Sequence, residues 1–252
     1  MPDTLYLLKV PVRADRLFTF AQQRGFPQRL ADVGYLVHCV FRETWQREAP
    51  GPFVVRGSGR NLDVWGYSNQ SADALRCHAQ EFGDPANLAV IGDLDQIAGR
   101  AMPLFETGRR VGFRLRACPV VRLALARNGH RAGAEVDAFL AKCFQTGEDA
   151  AVSREAVYRG WLLSRLANSA TSGAESTRIA VIGMSRDKVI RRTHDERRVA
   201  KSLERPDVHY EGELIVRDGR RFLEYLAAGV GRHRAFGFGA LMVVPPSSSQ
   251  SA

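Results

Sequence analysis

The chain of 252 residues is long enough for one large domain or two of ordinary size, and its 45% apolar content excludes global disorder. A net charge of +9 and a pI near 9.9 favour a polyanionic partner, either nucleic acid or an anionic membrane surface. No apolar run approaches the ~20 residues of a membrane span, and no segment shows a basic amphipathic pattern, which leaves nucleic acid ahead of a membrane.

The N-terminal "MPDTLYLLKVPV" lacks the basic segment and long apolar stretch of a signal peptide. Within it, "TLYLLKVPV" (4–12) reads as a buried strand. Helical periodicity follows in "RLFTFAQQ" and in "YLVHCVFRETW" (35–45), interrupted by "GFPQR". "PFVVRG" and "LDVWGYS" read as short strands. "SADALRCHAQEFG" (71–83) reads as a helix begun by Ser71 and stopped by Gly83.

A second unit of the same kind begins at "VGFRLRACPVVRL" (111–123), whose alternation predicts a strand. Helices are expected in "AEVDAFLAKCF", in "SREAVYRGWLLSRLAN" (153–168) with its capping signal, and in "GRRFLEYLAAGV". "RIAVIGMS", "VHYEGELIVRD" and "AFGFGALMVV" read as strands, and 246–252 as a disordered tail. The pattern predicts an α+β chain of tandem ferredoxin-like (RRM-like) βαββαβ domains, 1–108 and 109–245. An open sheet face of this kind is one common way to hold RNA.

Several chemistries have no support. "GVGRHRAFGFG" carries Arg234 where a dinucleotide loop needs glycine, and it leads from a helix into a strand, the wrong order. No P-loop motif occurs, and the carboxylates form no two-metal pattern. Cys39, Cys77, Cys118 and Cys143 are scattered without zinc-like spacing and read as reduced core residues of a cytoplasmic protein. No metal and no cofactor is expected.

"FRLRACPVVR", "REAVYRGWLLSRL", "YEGELIVRDG" and "GVGRHRAFGFGALMVV" occur in that order. Together they resemble the CRISPR-associated repeat-RNA endoribonucleases, above all the CasE branch of type I-E systems. The likeness is good over roughly 109–245 and looser before it. It implies two ferredoxin-like domains, binding of a CRISPR repeat hairpin and metal-independent cleavage of precursor CRISPR RNA. It also implies retention on the product as one subunit among others of the effector complex. The alternative is a non-catalytic RNA-binding subunit on the same fold.

The family's catalytic pair is a tyrosine and a histidine three residues apart on the first helix, which Tyr35 and His38 match. Residues at i and i+3 share a helix face, and a histidine exchanges protons near neutral pH. If "RLFTFAQQ" is the equivalent helix instead, the pair falls near Phe18 and Ala21. Arg24, Arg29 and Arg42 would then hold the phosphate and stabilise its charge.

Residues 185–207, "SRDKVIRRTHDERRVAKSLERPD", form a basic, glycine-free insertion. Its apolar residues at partly helical spacing predict a helical finger gripping RNA phosphates through Arg186, Lys188, Arg191, Arg192, Arg197, Arg198 and Lys201. Type I-E relatives lack such an insertion, which points to the divergent type IV branch. In the last motif, Gly229, Gly231, Gly237 and Gly239 would let the backbone approach an RNA phosphate while Arg232, His233 and Arg234 neutralise it. Arg114 and Arg116 on the preceding strand complete the expected RNA surface.

Overall fold

The computed structural model describes residues 4–26, 32–146, 151–167, 169–192 and 200–246. In the first unit β1 (Tyr6–Arg13) leads into α1 (Ala14–Gln23) and α2 (Val33–Trp45). Then come β2 (Phe53–Ser58), β3 (Asn61–Ser68), α3 (Ala72–Phe82), α4 (Pro85–Ile91) and β4 (Ala98–Ala101). The strands form an antiparallel sheet in the order β2-β3-β1-β4. Period two divides β1 between two cores. Leu8, Val10 and Val12 pack on Leu17 and Phe20 of α1 and on Leu36, Val40 and Phe41 of α2. Leu5, Leu7 and Tyr67 join the core of the second unit, where the Tyr67 hydroxyl donates to the Leu241 carbonyl at 2.8 Å.

The second unit contains β5 (Arg110–Ala117), a ribbon of β6 (Val120–Arg122) and β7 (Glu135–Asp137), α5 (Ala138–Thr146), α6 (Arg154–Leu166) and α7 (Ser169–Ser172). It ends with β8 (Ala174–Arg192), β9 (Ala200–Val216), α8 (Gly219–Ala228) and β10 (Leu241–Val244). Its sheet runs β10-β5-β9-β8, so fourth, first, third and second strands lie side by side as in the first unit. Both are ferredoxin-like. The expected helix starts hold: Ser71 accepts from the Ala74 amide at 3.2 Å, and Ser153 from that of Ala156 at 3.2 Å.

Three expectations need correction. The described residues of the insertion are not helical: β8 and β9 run on through them in antiparallel register, from Met184 opposite Val208 to Arg192 opposite Ala200. Strands already paired extend without a new nucleus, whereas a helix must nucleate afresh, and β-branched Val189 and Ile190 suit the pleat. The last strand begins at Leu241 rather than near Ala235, because a 3-10 turn (Arg234–Phe236) and left-handed Gly237 and Gly239 occupy the intervening chain. Of the four cysteines only Cys118 is buried, and Cys77 is exposed on α3. The tail beyond 246 lies outside the described residues.

Arg116 fastens the base of the long ribbon to the sheet. Its guanidinium lies over the Phe238 ring at 4.3 Å and donates to Asp207 at 2.9 and 3.0 Å and to Asp187 at 2.8 Å. Asp207 on β9 is buried, so removing its cation leaves a desolvated charge. Arg116→Ala should therefore lower stability by about 2–4 kcal/mol in urea titrations. Limited proteolysis should find the 185–207 ribbon cut sooner than in the wild type.

Candidate active site

A cleft of about 1260 Å³ opens where the N-terminal half of α2, the 229–239 loop, the β6–β7 ribbon, the end of α6 and β9 meet. Among the described residues six arginines line it: Arg122, Arg131, Arg165, Arg205, Arg232 and Arg234. Tyr35 and His38 lie in its wall. Neither Phe18 nor Ala21 lines it, so α2 rather than α1 faces the cleft.

The chain sets this helix in place from two sides. Asp32 caps α2 by accepting the Tyr35 amide at 2.6 Å. Gly34 lies against the carbonyl of Phe236, where a Cβ would collide with backbone. That contact lets the Tyr35 ring stack on Phe236 with centroids 5.1 Å apart, while His38 faces Tyr35 at 6.4 Å. Burial, with the charge of Arg42 second, holds the His38 imidazole below its ordinary pKa. It is therefore neutral at pH 7 and able to accept a proton.

Glu135 is the carboxylate among the lining residues, and it is engaged. It meets His233 Nε2 at 2.6 Å, Arg205 at 3.2 Å and Arg232 at 3.5 Å. Asp137, two residues on along β7, accepts the Tyr158 hydroxyl at 2.9 Å and Arg154 at 3.4 Å, which ties the ribbon to α6. The glycines of the loop serve the chain's own packing. A Cβ at Gly229 would meet the Pro52 ring, one at Gly231 the Trp161 ring, and one at Gly239 the Val230 carbonyl. Only at Gly237 is the space clear within 3.6 Å. The close approach expected toward phosphate is, at three of these four positions, an approach to protein. Arg234 donates to the Ala228 carbonyl and stays exposed.

Other expected residues lie elsewhere. Arg24 pairs with Glu43 at 2.6 Å, outside the cleft, and Arg42 sits one turn beyond His38. Arg29, Arg197 and Arg198 fall outside the described residues. Arg114 is exposed on β5, in a separate depression with Arg178 and Glu211. Arg116 is consumed by Asp187 and Asp207, so it braces the ribbon and is not a free phosphate ligand. Arg186 meets Glu204 at 3.7 Å, and the backbones of Lys188, Arg191, Arg192 and Lys201 lie in the ribbon strands.

Sequence reasoning missed Glu135, Arg205, Phe236, Arg122, Arg131, Arg165, Asp32 and Gly34. Only the last two carried a readable signal: an Asp before a helical run, and a glycine inside it. The others meet through tertiary contacts between distant parts of the chain, as between Glu135 and His233, 98 residues apart, and between Phe236 and Tyr35, farther apart still.

Two ferredoxin-like units sharing one arginine-rimmed cleft define a class of basic double-domain protein shaped to receive a polyanion. The model of the family described as CRISPR associated protein matches residues 5–245, and the chain belongs to that family. It is 32% identical over 145 residues to the CRISPR-associated endoribonuclease Cse3 of Thermus thermophilus, a match covering 57% of this chain and 59% of that relative's length. The fold is similar to that of Thermus thermophilus Cse3 bound to an RNA representing a pre-cleavage complex, with TM-score 0.58, 20% identity, and 96% of this chain and 100% of that one covered. It is also similar to a chain of a CRISPR RNA-guided surveillance complex, pre-nicking, with TM-score 0.55, 18% identity and coverage of 96% and 100%. A type IV placement rested on the basic insertion at 185–207 read as a helical finger. A ribbon continuous with β8 and β9 stands in its place, which removes the ground for that placement.

Burial, reinforced by the charge of Asp187, pushes the Asp32 carboxyl up to about 6. With its folded value above the ordinary ~4, ionisation costs stability, and the cost grows as pH rises from about 4 to about 6. Asparagine caps a helix as well as aspartate does. Asp32→Asn should therefore raise the unfolding free energy from urea titrations at pH 7, by up to about 1–3 kcal/mol, and remove this slope between pH 4 and 6.

Proposed function

We propose that the protein is an endoribonuclease that binds the CRISPR repeat hairpin and cuts precursor CRISPR RNA without a metal. It then stays on the mature guide RNA as a subunit of the effector complex. The observation that carries this reading is the placement of Tyr35 and a neutral His38 in a cleft lined by six arginines. Membership of the family, the printed activity of the 32% identical Cse3 and the likeness to a surveillance-complex chain support it.

The donor set defines the chemistry. His38 accepts the proton of a ribose 2′-hydroxyl, and the oxygen so released attacks the adjacent phosphorus. Arginines around the cleft hold the phosphate and stabilise the extra charge of the transition state. Glu135 is occupied by His233, Arg205 and Arg232, so the acidic group of the cleft serves the protein's own cations. The ribbon beyond the sheet carries the basic side chains that meet the duplex stem by its phosphates and shape.

Cleavage of the repeat should proceed in EDTA and leave a 2′,3′-cyclic phosphate or 3′-phosphate on the upstream fragment. A single 2′-deoxy nucleotide upstream of the cut should abolish cleavage and spare binding. His38→Ala should slow single-turnover cleavage by about 10²–10⁴-fold with little change in affinity. Tight binding by the wild type with no cut under any condition would instead identify a non-catalytic RNA-binding subunit.

Salt dependence tests the ribbon. Each phosphate contact adds about −0.7 to −0.9 to the slope of log affinity against log salt. Replacing Arg191, Arg192, Arg197 and Arg198 with alanine should flatten that slope by roughly two to four units, with binding weakened most at low salt. Unfolding curves should stay close to the wild type, since substitutions outside a packed core usually change stability little.

A further inference from the structure

The cleft holds a second histidine whose surroundings differ from those of His38. His233 immediately precedes the 3-10 turn (Arg234–Phe236) of the glycine-rich loop, with φ +62°. A left-handed conformation is uncommon for a residue with a Cβ and persists only where the surroundings enforce it. The ring itself is held by Glu135, whose Oε1 lies 2.6 Å from His233 Nε2, and the two side chains are only 16% and 18% exposed. Burial pushes the Glu135 carboxyl up, but the hydrogen bond from His233 and the charges of His233, Arg205 and Arg232 outweigh it and hold the group below its usual range. Glu135 is therefore a carboxylate across the neutral range and fixes the Nε2 side of the ring. The other nitrogen, Nδ1, is left for a substrate.

The two histidines belong to one row of rings. His38 faces Tyr35 at 6.4 Å, Tyr35 stacks on Phe236 at 5.1 Å, and Phe236 lies 5.9 Å from His233. Both histidines line the same cleft, with Arg232 and Arg234 beside the second. Cleavage by an internal nucleophile needs such a division of labour, one group to take a proton and another to give one.

We propose that His233, held by Glu135, is the general acid that protonates the leaving 5′-oxygen, with His38 as the base. This rests on reading the cleft as a ribonuclease site. In the step, His38 takes the proton of the 2′-O–H bond and O2′ forms its bond to phosphorus. The P–O5′ bond breaks, and Nδ1 of an imidazolium His233 gives its proton to O5′. The products are a 2′,3′-cyclic phosphate and a 5′-hydroxyl. His38 ends protonated and His233 neutral, and water restores both. Glu135 is a positioning residue, fixing the ring as the buried carboxylate of a hydrolytic triad does.

The test uses the full chain, its repeat RNA and the same RNA with sulfur in place of the 5′-oxygen at the cut. A thiolate leaves without being protonated, so loss of a general acid is hidden on that substrate. Asparagine accepts left-handed backbone, so His233→Asn keeps the loop. This variant should cut normal RNA about 10²–10⁴-fold more slowly, yet cut the sulfur RNA within about tenfold of the wild type. His38→Ala should be slow on both. Glu135→Gln should lose less, and sulfur should relieve that loss too. An equal fall on both substrates for His233→Asn, or unchanged rates with weaker RNA binding alone, would overturn the assignment and leave His233 a phosphate ligand. Sulfur-insensitive loss in Glu135→Gln would overturn the pairing. Cutting of a 2′-deoxy control by the wild type would instead overturn the ribonuclease reading beneath it.

Discussion

The guanidinium of Arg116 is the contact on which the second unit's architecture converges. It belongs to β5, binds Asp187 on β8 and Asp207 on β9, and covers the ring of Phe238 in the glycine-rich loop. Its own carbonyl accepts the Gly239 amide at 2.8 Å. Burial alone would disfavour its charge, but the paired aspartates reverse this and keep it a firmer cation than usual. Asp32, the cap of α2, lies in the same electrostatic field. One side chain thus links the sheet, the root of the ribbon, the loop and the start of the helix that bears Tyr35 and His38.

From that anchor the site is assembled in order. The sheet fixes the loop, the loop's Phe236 meets Gly34 and Tyr35, and the helix then presents His38 to the cleft. The β6–β7 ribbon closes the other side by delivering Glu135 to His233. Packing and charge are not separable here. The aromatic contacts that exclude water also bring basic groups close enough to need Glu135 between them.

Most of the fold was legible because it rests on local rules. A buried apolar run marked β1 and alternation marked β5, and side-chain caps at Ser71 and Ser153 marked helix starts. The 185–207 segment misled because charge and four apolar residues fit a helix locally, while its actual conformation is inherited from the β8–β9 pairing beneath it. Tyr35 and His38 were singled out by the family resemblance, whose pair they match three residues apart, and the Arg232–Arg234 cluster by composition. Arg116 was misread, since a lone arginine on a strand carries no mark of the two aspartates it will meet. Glu135 had no local signal at all: "AEVDAF" resembles a helix start, and its partner lies 98 residues away.

The span of chain that the cleft joins also governs when it can exist. Tyr35 leaves a ribosome about two hundred residues ahead of Phe236, the ring on which it stacks. Until then the first ferredoxin-like unit can fold on its own core of Leu8, Val10, Leu36 and Phe41, but Gly34 faces an unfilled contact and His38 has no opposing wall. Leu5, Leu7 and Tyr67 likewise wait for Leu241. A nascent chain therefore carries Tyr35 and His38 on a helix that lacks its facing wall, and the cleft comes into being as a late event of synthesis.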